Sequence, residues 1–143
     1  MQVIGFNFEK IKAERKKDIK GNLEIKSNIE LKEVTQEKLE LVKDKDVIKF
    51  SFLFSVNYKP DFADIILEGF VLVILEKEKI KEVLKRWKDK KVPDDIRLPL
   101  FNLILTKCNL KALQFEEEFG LPTHIPMPRL QAGQQSNNRD YVR

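Results

Sequence analysis

Few side chains in this sequence have the chemistry to act as catalysts or ligands. His124 is the only histidine, and it stands inside the proline-rich run GLPTHIPMPRL. A metal centre or a general base needs companion ligands or an orienting carboxylate. No such set stands beside His124 in the sequence. Cys108 is the only cysteine, so an internal disulfide and a thiolate cluster are both excluded. It lies on an apolar helical seam, where an inert buried thiol is expected. Asp61 with Asp64, Asp94 with Asp95, and Glu116 to Glu118 form paired or clustered carboxylates. Each set falls at an element end or on a charged helix face, where capping and solvation account for it. With five glycines there is little scope for a phosphate-cradling loop, and none is present. The residues predict a protein that is not an enzyme, with no metal and no cofactor.

Two basic runs, KIKAERKKDIK and KEKIKEVLKRWKDKK, raise a different chemistry, with lysines on phosphates and the Trp87 indole stacked on a base. Glutamates and aspartates are mixed into both runs, and Trp87 completes the apolar stripe of its own helix. Packing is the favoured role for Trp87, and a nucleic-acid-associated protein stands as an alternative. The overall balance is 27 basic against 23 acidic residues, a net charge of +4 with the signs interleaved. This describes a mixed, solvated surface more than a directed field. No apolar run reaches the ~18 residues of a membrane span, and no signal-peptide layout opens the chain. A cytoplasmic protein without membrane insertion is expected.

The elements that must position any site follow from hydrophobic period. From Val47 to Tyr58 the even positions Ile48, Phe50, Phe52, Phe54, Val56 and Tyr58 are large and apolar, while Lys49, Ser51, Ser55 and Asn57 are polar. That alternation is a strand with one wet face. Lys59-Pro60-Asp61 closes it. Upstream, Phe6 and Phe8 share one phase and Ile11 and Ala13 the other, which predicts a strand with a bulge near Glu9 and Lys10. A second half-buried strand runs from Leu23 to Leu31, and the segment from Thr35 to Asp46 is either its extension or a loose connection. Asp64 to Leu75 is apolar in both phases and predicts a strand covered on both faces, with one cover supplied by another subunit.

The period then changes to helical. Ile80, Val83, Leu84 and Trp87 mark one helix, ended by Lys90-Lys91-Val92-Pro93. Asp94 or Asp95 is placed to cap a second, with Pro99 in its first turn. Its seam reads Phe101, Leu105, Cys108, Ala112, Phe115 and Phe119, widened by Leu100, Leu103, Ile104, Leu110 and Leu113, more apolar surface than one face of a small sheet requires. Gly120 is positioned as a left-handed C-terminal cap and Pro122 prevents continuation. Residues 120–130 hold three prolines and must be extended, with Leu121, Ile125, Met127 and Leu130 lying along a surface. The division is one domain over 1–130 and a polar, disordered tail over 131–143.

Four antiparallel strands followed by two helices resemble the SecB export-chaperone family. GFNFEKIKAER resembles that family's first strand, LPLFNLILTKC its proline-led long helix, and FGLPTHIPMPRL the proline segment that follows the helix. The resemblance implies a homo-oligomer, a dimer or tetramer, whose long helices meet between sheets. It also implies an ATP-independent holdase that binds unfolded or non-native polypeptides in hydrophobic grooves. Two departures stand out: the chain is basic where the family is acidic, and the family's last helix is replaced by a short tail.

The expectation is an α+β domain, a four-stranded antiparallel sheet with two helices on one face, SecB-like. Phe50, Phe52, Phe54, Leu121, Ile125 and Met127 are the candidates for polypeptide binding, with the groove at the strand's margin where residues 120–130 pass. Phe101, Leu105, Cys108, Ala112 and Phe115 are the candidates for the oligomer interface. A structural oligomer without clients is the further alternative.

Overall fold

Strand β3 (Lys45–Lys59) is the strand that the alternation from Val47 to Tyr58 predicts. Every even residue from Ile48 to Tyr58 is buried, and Lys49, Ser51, Ser55 and Asn57 are half-buried on the opposite face. The computed structural model describes residues 1–42, 45–130 and 132. The expected disordered tail over 131–143 therefore lies outside the described residues, apart from Ala132. Strands β1 (Gln2–Arg15), β2 (Glu24–Val42), β3 and β4 (Ala63–Glu76) form an antiparallel sheet in the order β1-β4-β3-β2. Two helices follow, α1 (Lys77–Trp87) and α2 (Asp94–Glu118). The fold is the expected α+β sheet with two helices.

Sheet register explains how the apolar rows line up. Phe50, Phe52 and Phe54 pair with Val71, Gly69 and Leu67 of β4, so these side chains share the inner, helix-covered face. On β1, Val3, Phe6, Phe8, Ile11 and Ala13 all reach that same face, opposite Val73, Val71, Gly69, Leu67 and Ile65. Two register shifts make this possible, one between Val3 and Gly5 and one between Phe8 and Lys10. Each extra residue inverts the alternation once. The second shift is the expected bulge. The first is hidden in the sequence because Val3 and Ile4 are both apolar.

Gly69 has a packing reason. A Cβ there would clash with the Asn7 carbonyl oxygen and lie 2.9 Å from Cζ of Phe52. The Phe52 ring passes over this gap to β1, where it stacks on Phe6 at 5.3 Å and meets the edge of Phe8 at 6.2 Å. Such aromatic pairs add about 0.5–1.5 kcal/mol beyond the area they bury.

The segment left open between Thr35 and Asp46 is a strand extension: β2 runs to Val42, with Thr35 opposite Lys49 and Val42 opposite Lys45. On β4 the two apolar phases are not equally covered. Ile65, Leu67, Val71 and Val73 are buried, whereas Ile66, Phe70, Leu72 and Ile74 on the outer face are half-buried. Within this chain the helices cover one face of β4, which leaves the outer row for the second cover that was expected from another subunit.

Helix α1 lies against β2, β3 and β4, and α2 against β4. The start of α2 departs from expectation. Pro93 occupies the N-cap position and no side chain caps the helix, while Asp94 and Asp95 sit in the first turn. Their carboxylates are drawn into ion pairs instead, Asp94 with Arg97 at 3.0 Å and Asp95 with Lys79 at 2.7 Å. Pro99 is the sixth residue of α2, beyond the first turn, so the Asp95 carbonyl has no amide donor four residues on.

The other end of α2 matches a Schellman closure. Gly120 has φ of 64°, the Leu121 amide donates to the Glu116 carbonyl at 2.8 Å, and the Gly120 amide donates to that of Glu117 at 3.3 Å. Arg15 at the end of β1 completes it, its Nη1 donating to the Phe119 carbonyl at 2.6 Å. The cation thereby sits at the negative end of the helix dipole.

Candidate functional site: a pinned proline segment and a basic cleft

The buried row of α2 reads Ile96, Leu100, Ile104, Cys108, Ala112 and Glu116, a spacing of four throughout. Of the predicted seam it contains Cys108 and Ala112, and of the residues expected to widen that seam Leu100 and Ile104. Cys108 and Ala112 are fully covered by the chain's own core, so as oligomer-interface candidates they are corrected: no area remains for a second copy. Phe101, Leu105 and Phe115 are half-buried beside the row. Leu98 and Leu110 are exposed, the latter at 64%. Apolar residues all round this helix allowed several stripes, and packing selected one the spacing did not single out.

The same correction applies to Phe50, Phe52 and Phe54. All three are buried at 1% exposure or less, which makes them core beneath the helices and not groove wall. Leu121 is buried at the helix end, Ile125 half-buried, and Met127 exposed at 52%. The proline segment thus grades from core to solvent along its length. Thr123, Pro126, Met127, Pro128 and Arg129 line a recess of about 590 Å³ at its outer end.

What holds this segment is the His124 cluster. Nδ1 of His124 lies 2.7 Å from Oε2 of Glu116, and Nε2 lies 2.8 Å from Oδ1 of Asn109. The His124 backbone amide donates to Oε1 of Glu116 at 3.1 Å. The His124 and Glu116 side chains are both excluded from water, at 1% and 0% exposure. Phe54 meets the imidazole edge-on at 5.9 Å, and the Tyr58 hydroxyl donates to the Pro122 carbonyl at 2.6 Å. Burial, and then the neighbouring Glu116, push the Tyr58 phenol well above its ordinary value, so it remains a donor.

The expectation that no carboxylate accompanies His124 is therefore corrected. Glu116 comes from the end of α2, brought alongside by the Schellman turn. With both ring nitrogens engaged and no exposed edge, the imidazole is placed to anchor and not to exchange protons with a substrate. Cys108 is equally inaccessible, its thiol pushed up to about 12 by burial. Among the described residues no group of three or more His, Cys, Asp or Glu is arranged to hold a metal ion.

A second concavity of about 680 Å³ opens between β2, the end of α1 and the start of α2. Leu31, Trp87, Val92 and Phe101 give it an apolar lining, and Arg86, Lys90, Lys91 and Arg97 ring it. Trp87 packs against the core, with the Lys90 ammonium 4.7 Å over its ring. Elsewhere in the basic runs, Lys16 pairs with Asp61 at 2.8 Å and with Asp64 at 3.3 Å, and Lys79 with Asp95 at 2.7 Å and with Glu82 at 3.2 Å. Hydrogen bonds to Asp61 and then Asp64 hold the Lys16 pKa up, and the hydrogen bond to Asp95, ahead of that to Glu82, does the same for Lys79.

The architecture is that of a SecB-like chaperone fold. Among solved structures the chain is similar to the Mycobacterium tuberculosis Rv1957 SecB-like chaperone, solved in complex with a ChAD peptide from the Rv1956 HigA1 antitoxin. The TM-score is 0.52 at 12% identity, over 91% of this chain and 89% of that one. No family model matches the sequence, and no curated protein does. No helix among the described residues is long and apolar enough to cross a membrane.

Proposed function

We propose that this protein is an ATP-independent chaperone of the holdase type, binding non-native polypeptide on apolar surface at the margin of its sheet. The observation that carries the reading is the graded proline segment. Its inner end is locked into the core through Leu121, Pro122 and His124, while Met127 and Leu130 are presented to solvent at 52% and 57% exposure. A rigid base under an apolar edge is suited to extended chains, because little of the site must be ordered on binding. Methionine adds an adaptable contact that accepts many side-chain shapes. The SecB-like fold, and a neighbour described as a chaperone bound to a peptide, support the same reading.

The protein acts as a homo-oligomer in this proposal. Leu98 and Leu110 on α2, with half-buried Phe101, Leu105 and Phe115, supply apolar area for a second copy. Sedimentation mass together with fluorescence anisotropy of a labelled, permanently unfolded client tests both parts. A dimer or tetramer that binds the client without nucleotide supports the proposal, and a monomer with no binding overturns it.

A further inference from the structure

We propose that the proline segment is latched by a shared proton: closing His124 onto Glu116 takes up one proton, and rising pH loosens the segment from the end of α2. This device goes beyond polypeptide binding and operates whether or not a client is present.

Hydrogen-bond chemistry sets the proton count. Nε2 of His124 faces Oδ1 of Asn109 at 2.8 Å, an acceptor, so Nε2 carries a hydrogen. Nδ1 faces Oε2 of Glu116 at 2.7 Å, while Oε1 of the same carboxyl group accepts the His124 amide at 3.1 Å. A hydrogen must therefore lie between Nδ1 and Oε2, either on an imidazolium beside a carboxylate or on Glu116 beside a neutral imidazole. Both forms hold the same number of protons, and the proton belongs to the pair. That number is one more than a neutral histidine and an ionised glutamate hold in water.

The surroundings make this proton matter. With the two side chains at 1% and 0% exposure, its loss would leave a net negative charge and two facing lone pairs out of reach of water. Among the described residues no lysine or arginine lies within ion-pair distance of Glu116. β3 presents the Phe54 ring and the Tyr58 hydroxyl, which donates to the Pro122 carbonyl, and α2 presents Asn109. Arg15, from β1, is spent on the Phe119 and Gly120 carbonyls. Burial, and then Glu116, hold the Tyr58 phenol well above its ordinary value, so it keeps its proton at neutral pH.

The direction of the pH response follows. Between about pH 4.3 and 6.5 a solvated pair is histidinium and carboxylate, so open and closed states hold equal numbers of protons and closure does not depend on pH. Above about pH 6.5 the open state gives up its proton and the closed state keeps it, so closure weakens by about tenfold per pH unit until the closed pair releases it too.

Glu116→Gln separates the proton from the contact. The glutamine amide can donate to Nδ1 while its carbonyl accepts the His124 amide, which keeps each hydrogen bond and removes the need for the shared proton. Protection of the His124 amide against hydrogen exchange, measured on the intact protein from about pH 6 to 8.5, should fall by about tenfold per unit above about 6.5 and stay level in Glu116→Gln. Refolding from urea at about pH 7.5, followed with an indicator dye, should take up about one proton more in the parent than in the variant. His124 is the only histidine, so nitrogen-15 spectra carry one imidazole, and Nε2 should bear hydrogen throughout.

Level protection in the parent, equal proton uptake by the two proteins, or a ring with hydrogen on Nδ1 and a bare Nε2 overturns the latch. If Glu116→Gln does not fold, the protection profile and ring assignment of the parent decide by themselves.

Discussion

Nδ1 of His124 stands 2.7 Å from Oε2 of Glu116 in a position closed to water, and this contact ties the proline segment to the end of α2. Removing one member of a buried, hydrogen-bonded pair leaves the other unsatisfied, a loss of about 1–3 kcal/mol. His124→Ala and Glu116→Leu are each expected to fall in that range by urea denaturation. In His124→Ala the released segment should also be cut faster by trypsin after Arg129. Unchanged denaturation midpoints in both variants would contradict the anchoring role.

Gly69 is the point where Phe52 crosses to β1. Any side chain there must displace the Asn7 carbonyl or the Phe52 ring, and overpacking of this kind costs about 1–3 kcal/mol. Gly69→Ala should therefore lower stability even though alanine is otherwise the better residue for a strand interior. A stability equal to or above that of the parent protein would contradict the packing described.

Arg15 tests the helix end independently. Arg15→Ala removes a charged donor from the Phe119 carbonyl, with an expected loss of about 1 kcal/mol. Amide exchange should accelerate at Leu121, whose hydrogen bond to Glu116 closes the helix. Arg15→Lys should retain part of the stability, since charge survives and the fork geometry does not.

Alkaline stability follows from Cys108. Its thiol is raised from an ordinary value of 9.0 to about 12, so the folded state holds this proton more tightly than the unfolded chain. Stability from this source is complete below pH 9 and falls as pH climbs from there toward 12. The raised Tyr58 phenol acts in the same direction. Melting temperature measured from about pH 8 to 11 should fall more steeply in the parent than in Cys108→Ala. At about pH 8 iodoacetamide should modify Cys108 only after denaturation.

Much of the fold was legible because the inner row of β3 is chemically pure: six large apolar residues alternate with six positions of which four are polar. The bulge at Glu9 was legible for the same reason, since Phe8 and Ile11 fall out of phase. The buried row of α2 was not, because leucines and phenylalanines surround that helix and several stripes fit. Placing Phe50, Phe52 and Phe54 in a groove failed because alternation identifies a covered face without saying what covers it. The His124 partner was hidden by its neighbours. Glu116 reads as the first of three surface glutamates, yet it continues the spacing of Ile104, Cys108 and Ala112, and that spacing was the available signal.

Client binding at the apolar edge that the anchored proline segment presents is open to a direct assay. A chemically denatured client is diluted into buffer with a stoichiometric excess of this protein and no nucleotide, and its aggregation is followed by light scattering. Suppressed aggregation is expected, and suppression weakened severalfold by Met127→Asp, a change at an exposed position that should leave folding stability within about 0.5 kcal/mol. Aggregation of the client at the same rate and extent with and without the protein would contradict a holdase role.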